Sequence, residues 1–141
     1  MDEWQRYGNV KFKLEEAGDL RIAFKRGDGS WSIVGKQARD VGKDVATMNL
    51  GWLPTLASQQ TTEDNGTVLH ELGHALGMVH EHQSPARGGT INLKLDAVYK
   101  FYTPLLQNDR NLVRSQVIEQ YNARDVEAFS RLDLESIMMR V

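Results

Sequence analysis

The 141-residue sequence contains no cysteine. This absence excludes disulfide scaffolds, thiol catalysis and thiolate metal sites. No excess of one charge is present either, because 17 basic and 19 acidic residues leave a formal net charge of -2. Such a balance offers no electrostatic footprint for nucleic acid or for an anionic membrane surface. No apolar run approaches the roughly 20 residues that span a bilayer, so no membrane-spanning segment is expected.

The first half of the chain is patterned as β-strands. Apolar and polar residues alternate with a period of two, and turn residues separate the runs. The predicted strands are 10–14, 20–24, 31–34 and 46–50. Trp31, Met48 and Trp52 are expected to pack in a core or in a cleft wall. With 40% hydrophobic residues, the chain has the size and composition of one globular domain.

A helical period begins near residue 62. Apolar residues recur three and four positions apart as far as residue 76, which predicts a central helix. The candidates for its N-cap are Thr61, Thr62 and Asp64. Gly77 is placed to end the helix, because glycine adopts the left-handed conformation that lets a chain leave a helix sharply. Weaker helical patterns predict two further helices, over 93–106 and 111–122.

All histidines of the chain lie in one short segment, as His70, His74, His80 and His82. His70 and His74 are four residues apart on the central helix, so both imidazoles can bind one zinc ion. Glu71 then stands beside the metal, where it can take a proton from a zinc-bound water as general base. A chain that turns at Gly77 can bring His80 to the ion as third ligand. Three protein ligands leave one position open for water, as in a hydrolase.

Other interpretations of the histidines remain open. A structural zinc site would usually be closed by four protein ligands, and His82 could supply the fourth. His82 could equally lie in the cleft behind the ligands, or be exposed to solvent. The full pattern HExxHxxGxxH is much more specific than HExxH alone, which favours a catalytic site.

At these residues the chain resembles the metzincin clan of zinc peptidases, whose motif HExxHxxGxxH is followed by a methionine-containing turn. Ser136-Ile137-Met138 resembles that turn, and the resemblance identifies Met138 as its methionine. Within the clan, the chain is most similar to the astacin-like family. His80-Glu81-His82 continues the motif as family members do, and 29–35 resembles the family's glycine-x-tryptophan-serine segment. Residues 47–52 and 83–85 resemble cysteine-poor fungal and bacterial members.

The resemblance implies an α+β zincin fold, in which a twisted, mostly N-terminal sheet packs on the active-site helix above a small helical lobe. Residues 1–141 would form one incomplete catalytic domain, with the sheet and helix in 1–80 and the lower lobe in 81–141. One catalytic Zn²⁺, a peptide or protein substrate, a monomeric state and an extracellular location are implied with it.

Roles for further residues also come from the resemblance. The segment 46–50 is implied to be an edge strand over the cleft, with which an extended peptide pairs by strand addition. The substrate-binding residues would then be Thr47, Met48, Asn49 and Leu50. Glu81 is implied to be a buried structural acid near the site.

Two departures from the family pattern support alternative functions. Arg140 stands where the family usually has a tyrosine two residues after the turn methionine, and arginine cannot bind zinc. Family members also have a strand and a helix before Gly8 and continue beyond the turn, so the domain is expected to be truncated at both ends. The alternatives are a zinc-binding protein with impaired catalysis, a peptide-binding module, and a fragment that does not fold stably.

Overall fold

The computed structural model describes residues 1–87 and 91–139, and the chain divides into two compact units, Met1–Val79 and His80–Val141. The helices and strands are α1 (Asp2–Tyr7), β1 (Ile22–Ala23), β2 (Ser30–Ser32), β3 (Met48–Leu50), α2 (Thr62–Ala75), α3 (Leu95–Leu105) and α4 (Arg110–Val113). A π-helical turn follows at Arg114–Ile118, and short 3₁₀ helices lie at Gly35–Asp40, Ala57–Gln59, Glu81–Gln83 and Pro85–Arg87. This combination of helices and a small sheet confirms the predicted α+β class.

The sheet of the first unit has the strand order β1-β3-β2. β3 pairs in parallel with β1, where Ile22 lies opposite Met48, and antiparallel with β2, where Trp31 lies opposite Asn49. The prediction that 46–50, which contains β3, is an edge strand is therefore wrong. A strand that is paired on both sides has no row of N–H and C=O groups left for a peptide.

The side chains of this segment are also buried, which argues against their predicted role in substrate binding. The four residues concerned are at most 4% exposed, and they are Thr47, Met48, Asn49 and Leu50. The Thr47 hydroxyl accepts a hydrogen bond from the Arg21 N–H and donates to the Asp19 carbonyl. The Asn49 amide is bonded to the backbone of Lys25 and Gly29. The Thr47 and Asn49 side chains thus bind neighbouring loops of this chain, in the segment that was expected to bind a peptide substrate.

The core of the first unit lies between the sheet and α2. Its buried members are Met48, Leu50 and Leu72. Met48 is thus in the core as predicted, whereas Trp31 and Trp52 are 39% and 58% exposed and are not core residues. The α1 helix joins this core through Trp4, whose indole N–H donates to the Leu69 carbonyl at 3.0 Å. Residues 10–14, predicted as a strand, form no regular element.

The start of α2 is fixed by a capping box. The Thr61 hydroxyl accepts from the Asp64 N–H, and the Asp64 carboxylate accepts from the Thr61 N–H. This reciprocal pair satisfies two donors that a helix start leaves without intrahelical partners. A hydrogen bond from the Glu63 backbone N–H, followed by one from the Thr61 hydroxyl, also lowers the pKa of the Glu63 carboxyl. The helix therefore begins where the sequence pattern predicts.

The second unit is mainly helical. Its core contains Tyr102 of α3, Val113 of α4 and Val117 of the π-helical turn. The helix predicted over 93–106 is observed as α3. The helix predicted over 111–122 ends early, because α4 passes into the π-helical turn and Glu119 is extended. In the parts of the chain that the structure describes, no helix has the length and apolar character needed to cross a membrane.

Candidate metal centre

Two of the predicted metal ligands, His70 and His74, project from the last turns of α2. Their ring centroids lie 4.7 Å apart and the ring planes are almost perpendicular, at 89°. Residues four apart on an α-helix lie on the same face, so the helix alone brings the two imidazoles together. His74 is buried, and His70 is partly exposed.

The chain leaves α2 through a Schellman motif. The Gly77 N–H donates to the His74 carbonyl at 2.8 Å, and the Met78 N–H donates to the Gly73 carbonyl at 2.9 Å. Gly77 has φ = +101°, a conformation that side chains disfavour. The predicted role of Gly77 as the residue that ends the helix agrees with this geometry.

The same turn orients the imidazole of His74. Nδ1 of His74 lies 2.8 Å from the Met78 carbonyl oxygen. Because a carbonyl oxygen only accepts, Nδ1 must carry the proton. Nε2 of His74 therefore bears the lone pair that a metal ion would bind.

Gly35 is a neighbour of this turn that the sequence analysis missed. A Cβ atom added to Gly35 would lie 3.1 Å from the Cα of Gly77. Both glycines have positive φ, and the absence of a side chain at position 35 lets the two backbones approach each other. No local sequence pattern could have indicated this, because the two residues are distant in the chain.

The third predicted ligand, His80, is 8% exposed. Its Nδ1 lies 3.1 Å from Oε1 of Gln83. His70, His74 and His80 each offer one nitrogen, and these three atoms lie within 4.8 Å of one another. The structure thus brings the predicted triad together.

His82 has a different role from the triad. It is 2% exposed, so the expectation of solvent exposure is wrong. Its Nε2 lies 2.8 Å from the Val117 carbonyl oxygen and donates to it, and its ring stacks on His80 with 5.3 Å between the centroids. Of the described residues, the histidine group that could hold a metal contains the three predicted ligands without His82.

The donor set fits zinc. Three neutral imidazoles with one further position free are the ligand set of many catalytic zinc sites, and zinc at about 2.0–2.1 Å from each nitrogen favours tetrahedral geometry. Ligand nitrogens around such an ion are about 3.4 Å apart, which is within the 4.8 Å limit that encloses the triad. Because Nδ1 of His74 and of His80 donates its proton to an oxygen, Nε2 is the nitrogen of each ring whose lone pair could bind the ion.

The remaining predicted site residues lie in well-defined surroundings. Glu71 is 5% exposed within α2. Met138 is 3% exposed in the turn after Asp133, and its carbonyl accepts from the Glu81 N–H at 2.9 Å. The Glu81 carboxylate accepts from the Asp133 N–H at 3.1 Å, but Glu81 is only partly buried, which corrects its prediction as a buried acid. Arg140 lies outside the described residues.

The fold and the histidine triad define a metallopeptidase scaffold of the metzincin type. The family model described as Astacin, a family of peptidases, matches residues 1–139. The chain belongs to the astacin family, which confirms the resemblance found in the sequence.

Similar proteins support this membership. Zinc metalloproteinase nas-30 of Caenorhabditis elegans is 31% identical over 97 residues, covering 69% of this chain and 11% of that protein. Blastula protease 10 of Paracentrotus lividus is 30% identical over 105 residues, covering 66% of this chain and 15% of that protein. A structure of myroilysin matches 98% of this chain and 66% of its own, with a TM-score of 0.82 and 35% identity. The chain spans less than a sixth of these curated relatives and about two thirds of the myroilysin chain.

Proposed function

We propose that this protein is a zinc-dependent endopeptidase. The observation that carries the proposal is the triad His70, His74 and His80, in which one nitrogen of each ring lies within 4.8 Å of the others. Membership of the astacin family supports zinc as the ion and peptide bonds as the substrate. A zinc ion held there would act as a Lewis acid that polarises the scissile carbonyl and acidifies water.

The residues of this chain have distinct roles in the proposed reaction. His70, His74 and His80 hold the metal, and Gly77 lets the chain turn between the second and third ligand. Glu71 takes a proton from the attacking water and delivers it to the nitrogen of the leaving amine. Glu71 is buried. Water therefore screens the electrostatic interactions of its carboxylate less than it would at the protein surface. Met138 supports the segment that follows His80 through its bond with the Glu81 N–H.

Peptides and proteins are the proposed substrates, bound in an extended conformation. β2 is an outer strand of the described sheet and packs beside α2, so it is better placed than β3 to pair with a peptide. We further propose an extracellular, monomeric enzyme, as the family resemblance implies.

The decisive experiment compares the parent protein with Glu71→Gln in a fluorogenic peptide-library cleavage assay, with zinc content measured on each sample. The variant should retain its zinc and lose hydrolysis by about 10²–10⁴-fold, because a glutamine cannot accept the proton. Glu63→Gln is the matched control, since Glu63 is an exposed acid on the same helix; it should cleave like the parent.

Three outcomes would contradict the proposal. Activity of Glu71→Gln within tenfold of the parent would remove Glu71 as general base. Zinc binding without cleavage by the parent would favour the alternative, a zinc-binding protein that captures peptides or is catalytically impaired. A parent that binds no zinc would exclude both the enzyme and this alternative.

A further inference from the structure

The second unit contains a hydrogen-bond network that ends on His80. Gln83, which is 1% exposed, lies at the centre of this network. Its Nε2 donates to the carbonyls of Ser115 at 2.9 Å and Glu119 at 2.7 Å, and its own carbonyl accepts from the Tyr121 N–H. These bonds hold Gln83 at both the backbone and the side chain.

The π-helical turn makes the Ser115 carbonyl available. In an α-helix, the Glu119 N–H would bond to the Ser115 carbonyl four residues earlier. Here it bonds to the Arg114 carbonyl at 2.8 Å, five residues earlier. The Ser115 carbonyl is thereby released from the helix ladder and accepts from Gln83. π-Helical turns are rare and are often found at functional sites.

The partners of Gln83 decide the orientation of its amide. Carbonyl oxygens only accept, so the atom that faces Ser115 and Glu119 must be the NH₂ group. Oε1 is then the atom 3.1 Å from Nδ1 of His80, and it only accepts as well. Nδ1 of His80 must therefore carry the proton, and the lone pair that could bind a metal is on Nε2.

We infer that Gln83 is a positioning residue for the metal site: held by the π-helical turn, it fixes the tautomer and ring orientation of His80. This inference rests on the proposed zinc site and concerns a residue outside the HExxHxxGxxH motif. The turn contributes a second support, because the Val117 carbonyl accepts from His82, whose ring stacks on His80. Hydrogen-bond partners of metal-binding histidines raise ligand basicity and orient the ring.

The first test is the zinc dissociation constant, measured by competition with a chromophoric chelator. Gln83→Met keeps the side-chain length and removes the acceptor for His80, so zinc should bind about 10–100-fold more weakly. Gln120→Met is the matched control. The Gln120 amide donates to the carbonyls of Ser84 and Pro85, which links the same two segments without a hydrogen bond to His80. This control should bind zinc within about threefold of the parent, which leaves the 10–100-fold effect clearly separable.

A second variant separates positioning from stability. Gln83→Glu keeps an acceptor for His80 but loses both donors to the Ser115 and Glu119 carbonyls. Thermal unfolding of the zinc-free proteins should show Gln83→Glu to be at least as destabilised as Gln83→Met. Its zinc affinity should nevertheless lie closer to that of the parent. If Gln83 were only structural, zinc affinity would follow stability, and Gln83→Glu would bind zinc at least as weakly as Gln83→Met.

A spectroscopic readout on the parent needs no variant. Long-range ¹H–¹⁵N correlation spectra of the zinc-loaded protein should show the proton of His80 on Nδ1 and the metal on Nε2. Metal on Nδ1 would overturn the inference, as would zinc binding by Gln83→Met within threefold of the parent. In both cases a parent that binds zinc leaves the proposed function standing. A parent that binds no zinc overturns the proposed function and this inference with it.

Discussion

Replacing Gly77 with alanine tests whether backbone conformation at the end of α2 controls the metal site. Gly77 has φ = +101°. A Cβ at this position would lie 4.0 Å from the Cα of Gly35, which is an ordinary van der Waals distance. Steric exclusion by neighbours therefore contributes little, and the cost comes from the left-handed conformation.

The size of the effect follows from that conformation. A left-handed residue with a Cβ costs about 1–2 kcal/mol, so the free energy of unfolding should fall by this amount. The variant can relieve the strain by unwinding the Schellman motif, but zinc binding must then rebuild the turn that orients His74 and leads to His80. The zinc affinity should accordingly fall by up to about 5–30-fold, which corresponds to the same 1–2 kcal/mol.

Urea unfolding followed by tryptophan fluorescence gives the stability, and chelator competition gives the zinc affinity. Gly77→Asn should be intermediate, because asparagine tolerates left-handed conformations better than alanine. Gly42→Ala is the matched control: its φ is not in the left-handed range and its Cβ would lie 3.8 Å from Val45. The reasoning is refuted if Gly77→Ala is as stable as Gly42→Ala and binds zinc like the parent.

Two further predictions concern the sheet and the metal. Asn49→Ala should lower the free energy of unfolding by about 2–4 kcal/mol in urea titration, because it removes three hydrogen bonds between the buried Asn49 amide and the backbone of Lys25 and Gly29. Asn65→Ala, at an exposed helix position, should change it by less than about 0.5 kcal/mol. Equal effects of the two substitutions would contradict the stabilising role of the Asn49 hydrogen bonds. Free zinc at about 100 times its dissociation constant should raise the unfolding free energy by about 2.7 kcal/mol over the chelator-treated protein. His74→Ala should abolish that increment, and an undiminished increment would place the zinc elsewhere.

Features that depend on local spacing could be predicted from the sequence. The helical repeat of about 3.6 residues places His70 and His74 on one face, and this holds wherever the helix packs. The same is true of the N-cap at Thr61 and of the turn at Gly77, since both follow from short-range backbone chemistry. The family resemblance could also be recognised in the sequence, because it rests on short motifs with fixed local spacing.

The predictions were wrong for the pairing of one strand and for the extent of one helix. The alternation in 46–50 indicates a strand, but it does not say which neighbours pair with it, and β1 and β2 occupy both sides of β3. Likewise, the regular pattern over 111–122 does not reveal that Glu119 bonds five residues back rather than four. Each of these outcomes depends on partners that are distant in the chain or on a small difference between competing hydrogen bonds.

The sequence by itself determined which histidines are the candidate metal ligands and their order, the proposed general base beside them and the glycine between the second and third candidate ligand. The tertiary structure alone decided that β3 is central, that Gly35 packs against Gly77, and that Gln83 is held against His80 by the carbonyls of a π-helical turn. The physical reason is the range of the interactions. Helical spacing is fixed by the backbone within a few residues, whereas strand order and buried hydrogen bonds depend on which distant segments pack together.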